Sequence, residues 1–580
     1  MPTDWRIGDQ LVLAGTNLNA SEDEQLTLLG VDGDAVIVRP LAYYHSFPTT
    51  TQPLDRPLNI HLANLTRNAV IRSESTALDR RGHVMMMHMD DVEIDYAAFL
   101  DLGRTDKKER INDVLFDEQG HVIAGTGTNP RGRYALHFHR GGVVNDGHAA
   151  TVHGSVVACS PGWGFTNHSS FVNFTDNVSY DLDGAGFVTE AGNEIGSFVG
   201  NLAIRGHGSG ADYKSRMDIQ DFGHSGDGFW IQGPGVTVAN NAASGMTGNG
   251  IVLYTRALTE WELQDDNAPF DQGTLFLASN LEFPEVAKDA NYAEVYDLPV
   301  RHFYDNEAYG SEIGINLDYF SYRPDVDFVR PRHAVQSIVE NLTSWNSRTG
   351  LAVAYVSQTD IRNATVIGRI ARPAGYGVKA HIKSVGVNFE NLHVEGFLYG
   401  VTMPRRGVNS VVGGYFNNID NITNMSIQQT LSDGTPVGFP TLENTIRDVT
   451  FGTLSPLVLK GVPQRNVVLT SYNVANKGSF ENVFEPMSVI LDFGSFHNQR
   501  AYFALQSPNA IVFPLIDPLL NLDWIGKTNQ QLANEFGLAF GGAVAPDLFA
   551  TSDQVFADIG PLTDRLVRLA TSAAARIELP

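Results

Sequence analysis

Cysteine is almost missing from this chain: Cys159 is the single example in 580 residues. That excludes an internal disulfide and any thiol-rich metal site, and it leaves the redox compartment open. Basic residues are scarce as well, with 40 Lys and Arg against 65 Asp and Glu and a formal net charge of -25. A nucleic-acid partner needs clustered Lys and Arg to neutralise phosphates, so that class is excluded. An acidic glycan would have to meet a local basic or metal-bearing patch, because the surface as a whole repels polyanions. No apolar run approaches the roughly 18 residues of a membrane span. The opening MPTDWRIGDQ lacks a basic-then-apolar signal region, so either the N-terminus has been trimmed or export uses another signal. Long amphipathic helical patterns are absent before about residue 525.

What the sequence has instead is glycine, 56 residues of it, with short β-rich runs set between Gly, Asn and Asp turns. Self-similarity at a fixed interval is the mark of a solenoid. GWGFTNH at Gly162, GAGFVTE at Gly184, GDGFWIQ at Gly226 and GNGIVLY at Gly248 share one pattern. A second repeat places Asn before a small or apolar strand, at Asn177, Asn201, Asn241, Asn341, Asn363 and Asn391. A coil of this length cannot bury its apolar residues alone, and stacking at strand spacing of roughly 4.8 Å makes the core continuous. The asparagines are expected to form a stacked amide ladder in a turn.

The fold predicted is therefore all-β, a right-handed parallel β-helix. Residues 1–105 read as a β-rich domain capping its N-terminal end, 106–500 as the helix with an insertion near 256–335, and 501–580 as a C-terminal capping region with helices at TNQQLANEFGLAF and PLTDRLVRLATSAAARIEL.

Arg133-Tyr-Ala-Leu-His137-Phe-His139-Arg140 carries the chemistry. Strand alternation that buries Tyr134, Leu136 and Phe138 turns His137, His139 and Arg133 outward. Two histidines at i and i+2 can converge on one ion, with further ligands from neighbouring coils. Aligning the repeats makes His168 and Glu190 equivalent positions and places His137 in the same column. The expected metal set is His137, His139, His168 and Glu190, for zinc or calcium, without an organic cofactor. His153, in ATVHGSVV, could be a further ligand or a general base, against the alternative of a satisfied structural histidine. The Met85-Met86-Met87 run splits across both strand faces and reads as core packing. For cleavage of a uronate glycan by elimination, Lys214, Arg216, His224 or Tyr134 could supply the base. For hydrolysis, Glu190 with Asp227 or Glu194 could flank the bond.

Trp5-Arg-Ile-Gly8-Asp9, Leu41-Ala-Tyr43-Tyr-His45, Asn64-Leu-Thr-Arg67-Asn68, Gly82-His83, RYALHFH, Thr151-Val-His153-Gly154 and Glu190 resemble the proteins in which a G8 domain precedes a parallel β-helix, including the cell-surface and cell-migration-inducing hyaluronidases. The resemblance covers residues 5 to about 260. It implies a G8-like cap, a secreted or cell-surface location, and a protein that binds or depolymerises hyaluronan. It also lends weight to His137, His139, His153 and Glu190 as a functional group; the catalytic candidates are His153, Glu190, Arg133 and Tyr134, beside the metal set. In the animal members a Gly-His-containing run ending Glu-Asp-Gly stands where GAGFVTEAG stands here, and the start of the G8 domain has no counterpart. These departures, with the lack of cysteine, point to a bacterial relative whose glycan need not be hyaluronan. The alternative function is a non-catalytic glycan-binding or adhesin-type surface protein.

Overall fold

The computed structural model describes residues 5–471, leaving aside 256–274, 319–332, 427–442 and a few shorter stretches, together with the backbone of three later strands, Met487–Asp492, Phe503–Leu505 and Ala510–Leu515. The C-terminal helices expected in 501–580 lie outside the described residues.

Parallel strands stack into three faces of a β-helix. The first and second faces are joined through the long strand Phe165–Thr175 into one 25-stranded sheet, and the third face has 12 strands. On the first face Val84–Met87, Leu136–Gly142, Phe165–Thr175, Ala185–Thr189, Asp227–Ile231 and Asn249–Tyr254 follow in register. Because register is kept, every coil adds its inward side chain to the same column. Phe165, Phe187 and Phe229 stack with ring centroids 4.8 and 4.7 Å apart, and Phe174 stacks on Phe198 at 4.9 Å. One coil spacing thus equals one aromatic stacking distance.

The helix starts earlier than the sequence indicates. Val84–Met87, Glu93–Asp95 and Ala97–Leu100 already form a complete coil beneath Leu136–Gly142, Ala150–His153 and Val156–Ala158. The methionine run alternates as expected, with Met86 packed against the core. The N-terminal region places one strand, Ala69–Arg72, at that end, paired with Ala97–Leu100, and the strands before it elsewhere. Its three-stranded antiparallel sheet (Gln10–Leu13, Glu24–Thr27, Leu62–Asn64) and the connecting strap lie along the outer side of the third face. Thr51 donates to Glu395, Asn59 donates to Glu307, and Ser244 donates to the Gly15 carbonyl. The expected insertion at 256–335 is also interrupted, since Phe303–Tyr304, Glu307–Tyr309 and Ile313–Asp318 make an ordinary coil.

The asparagines form two columns rather than one. Asn177, Asn201, Asn241 and Asn306 are buried and joined amide to amide at 3.0, 3.1 and 3.1 Å. After Asn306 the position passes to Leu342, Ala364 and Leu392, and asparagine moves one residue earlier, to Asn341, Asn363 and Asn391. That neighbouring position is left-handed in successive coils: Asp176 (φ 56°), Gly200 (69°), Asn240 (55°), Asp305 (58°), Asn341 (58°), Asn363 (53°) and Asn391 (60°). Only Gly, Asn and Asp take that conformation cheaply.

Within the buried ladder, the Asn241 side chain accepts from the Asn201 backbone and side-chain amides and donates to the Phe198 carbonyl and Asn306. Replacing it by Ala strands several buried groups, so Asn241→Ala is expected to lower stability by about 2–3 kcal/mol, read as an earlier denaturant midpoint. Asn363→Gly, at the exposed left-handed position, should leave the midpoint nearly unchanged.

Candidate functional site

The first-face strands end in a corner where the chain turns through Arg140 (φ 54°) and Ser169 (φ 48°). His139 and His168 are the residues just before those turns and are directly in register. His137 is not in their column. It pairs with Thr166, one pleat earlier, and reaches the cluster from the side. Glu190 follows strand Ala185–Thr189 in the next coil, its amide donating to the Asn167 carbonyl at 2.9 Å.

The structure brings together four of the sequence candidates. The three imidazoles each place a ring nitrogen within 4.8 Å of the others. His168 Nδ1 lies 3.0 Å and His137 Nε2 3.4 Å from Glu190 Oε2. His137 Nδ1 sits 2.8 Å from the Gly132 carbonyl, which fixes the proton on Nδ1 and turns the lone pair of Nε2 into the cluster. His137 Nε2 and His139 Nδ1 are buried without a hydrogen-bond partner. Burial, then the neighbouring His168 and His137, push His139 down to about 4, so it is neutral at pH 7. Burial alone would raise the Glu190 carboxyl, but His168 and His137 outweigh it and hold the group well below the usual range. His137 is fully buried, whereas His139 and His168 are partly exposed and open the cluster to solvent.

Tyr134 joins the cluster by a different route from the one expected. It points outward with the histidines, its ring 5.2 Å from His137 and 4.2 Å from Trp163, and its hydroxyl donates to Glu190 Oε1 at 3.5 Å. Burial and Glu190 raise this phenol well above its ordinary value. Arg133 is not part of the group; it lies beside His83, whose imidazole is pushed down by burial and then by that guanidinium. His153 belongs to another face, where it meets the Tyr96 hydroxyl at 3.0 Å. Glu194 lies beside His168, but its carboxylate and that of Asp227 are occupied. Glu194 is taken up by the amides of Ser169, Ala191 and Gly192, and Asp227 by Ser225 and Asn249.

Behind the cluster lies a support that sequence reasoning missed. Lys107 Nζ donates to Asp221 at 2.8 Å and to the Phe222 carbonyl at 3.0 Å, and it sits 4.0 Å from the Trp163 ring. Arg216 bonds Asp221 and the carbonyls of Lys107, Lys108 and Glu109. These contacts staple the segment before residue 135 to the segment 207–226, and both close over Tyr134, Trp163, Val188 and Trp230. Neither segment repeats, so periodicity carried no signal; Trp163 inside GWGF was the one visible hint. Lys214, named as a possible base, pairs with Asp318 instead, and His224 meets Ser209.

Residues 107–270 match the family described as CEMIP beta-helix. The chain is thus CEMIP-like, a G8 region with a parallel β-helix. A G8 domain-containing protein of Dictyostelium discoideum is 27% identical over 262 residues, 42% of this chain and 20% of that protein. Mouse Fibrocystin-L is 25% identical over 285 residues, 42% of this chain and 6% of its own length. The match therefore spans a fifth or less of either relative. Among solved structures, a mutant of the periplasmic alginate epimerase AlgG superposes with a TM-score of 0.33 at 9% identity, covering 66% of this chain and 76% of that one. No helix among the described residues is long and apolar enough to cross a membrane.

The buried Lys107–Asp221–Arg216 network makes two predictions for this CEMIP-like segment. Asp221→Asn leaves two cations without their carboxylate and should cost about 3–5 kcal/mol, measured by denaturation. His224 is pushed down to about 4, first by burial. Its folded value lies below its unfolded one, so its contribution to stability is complete above about pH 6.5 and falls as the pH drops toward 4. Its imidazole NMR signals should stay those of the neutral ring from pH 7 down to about 5.

Proposed function

We propose that this chain is an extracellular enzyme that cleaves a polysaccharide, with a divalent metal held by His137, His139 and His168 and approached by Glu190. The observation that carries the reading is the convergence of three imidazoles, each with a ring nitrogen within 4.8 Å of the others, beside a carboxylate, with His137 Nδ1 held by the Gly132 carbonyl. Imidazole nitrogens suit zinc and its neighbours, whereas calcium prefers oxygen ligands. When bound, such an ion supplies positive charge to neutralise a uronate carboxylate or polarise an oxygen.

Elimination fits the residues better than hydrolysis. Two-carboxylate hydrolysis needs a second free carboxyl group facing the first, and the two candidates, Glu194 and Asp227, are each consumed by local hydrogen bonds. Elimination needs one base and one acid. Glu190, held ionised, is the group available to take the proton from C5 of the uronate. The C5–H electrons then form the C4=C5 bond, the C4–O bond breaks, and its electron pair leaves on oxygen. Tyr134, held protonated beside Glu190, is the group available to protonate that oxygen. Lys107 and Asp221 keep the ring of Tyr134 and the indole of Trp163 in place from behind. The resemblance to hyaluronan-acting proteins supports a glycan and an extracellular setting.

Purified protein should carry about one equivalent of metal by elemental analysis, and His139→Ala should lose it. Against hyaluronan, alginate, pectate and chondroitin, the wild type should shorten at least one polymer and release a product absorbing in the ultraviolet. Glu190→Gln and Tyr134→Phe should each slow this at least 100-fold. Reducing ends without ultraviolet absorbance would replace elimination by hydrolysis. Binding with no shortening of any polymer would overturn the enzyme in favour of a glycan-binding surface protein.

A further inference from the structure

A groove of about 1120 Å³ runs along the corner that leads from the third face to the first, on the far side of the strands from the histidine cluster. Its lining includes Lys108, Arg348, Arg369, Arg372 and Lys379, against the carboxylates of Asp212 and Glu312. In a chain with a net charge of -25, this excess of cations runs against the background. Glu312 is engaged with Arg348 at 2.6 Å. Arg372 and Lys379 are exposed and pair with no carboxylate among the described residues.

Two tyrosines complete the arrangement. Tyr376 and Tyr399 open successive first-face strands and stack with centroids 5.0 Å apart and planes 21° apart. Both are partly exposed, and Lys379 Nζ lies 4.9 Å from the Tyr376 ring. Aromatic faces offer platforms for the apolar faces of sugar rings, while guanidinium forks match carboxylates. One end of the groove reaches Lys108, next to the Lys107 that underlies the cluster. Along the helix axis Tyr376 and Tyr399 lie five and six strands beyond Glu190 on the same face, roughly 24 and 29 Å at the strand spacing.

We infer that this groove is a distal binding site for an anionic, uronate-bearing oligosaccharide, holding the glycan on the flank of the β-helix away from the histidine cluster. For its ligand class the inference rests on the glycan-acting reading above. A nucleic acid fits less well, because a few cations cannot neutralise its phosphate array.

The test is titration calorimetry on the full chain with uronate octasaccharides, a neutral cello-oligosaccharide and a single-stranded DNA of similar charge. The wild type should bind a uronate oligosaccharide in preference to both others, with affinity falling as salt rises. The double variant Arg372→Glu with Lys379→Glu should weaken that binding at least tenfold, and Tyr376→Ala at least threefold, with unchanged melting temperatures. Glu190→Gln should bind within twofold of wild type. If the charge-reversed protein binds as the wild type does, or the DNA binds as tightly as the uronate, the groove inference falls. Groove-dependent binding without any cleavage would uphold the groove and remove the enzyme reading, whereas cleavage with no groove dependence would do the reverse.

Discussion

Everything in this molecule depends on the register of its parallel backbone ladder. Once two coils pair residue for residue, each side chain is set one strand spacing above its equivalent, and whatever chemistry the position has is repeated along the axis. An inward phenylalanine becomes an aromatic stack, a buried asparagine becomes an amide ladder, and a turn that must be left-handed selects Gly, Asn or Asp coil after coil. The histidine cluster is one more product of the same rule, with His139 and His168 in one column and Glu190 in the next coil.

That rule also explains which parts of the fold were legible in the sequence. The coil and the outward pairing of His137 with His139 follow from periodicities of about 22 and 2, and both can be read from letters alone. The column assignment fails by one pleat, because counting back from GWGFTNH to RYALHFH does not reveal where the pairing begins; the ladder sets Leu136 on Phe165 and so puts His139, not His137, on His168. Tyr134 precedes its strand and escapes the alternation that was meant to bury it in the core. The asparagine column misleads similarly, since the sequence shows the letter but not the one-residue shift that moves it from a buried ladder to an exposed left-handed turn.

The excursions were illegible for a different reason. Lys107 and Asp221 are 114 residues apart, in segments with no repeat, and nothing local announces that they meet. The N-terminal strap is comparable. Its contacts with Glu307 and Glu395 cover buried carboxylates on the third face, where Asn59 and Thr51 of the strap add donors to those supplied by Trp345 and His393 of the helix itself. Trp345 completes this arrangement, stacking on Tyr309 at 4.1 Å and donating its indole N–H to Glu307. Without its cover these acids would lose the strap's donors and keep only part of their hydrogen bonds, so the strap belongs to the stability of the helix.

Electrostatics then distributes the functional roles. A chain this acidic has few cations to spare, and it uses them in two ways. Some are buried, as Lys107 and Arg216 are, where they hold the two covering segments together and keep their charge inside the fold. Others stand exposed along one corner with tyrosines between them. Near Glu190 the described positive charge comes from the imidazoles and from the exposed guanidinium groups of Arg131 and Arg140, and His139 is neutral at pH 7. A uronate brought to that corner therefore gains little attraction from the histidines themselves and meets a carboxylate as well. On the reading proposed, an ion held by the imidazoles would add to the charge of the nearby arginines, and the neutral state of His139 suits it as a ligand, which links its burial to the chemistry proposed there.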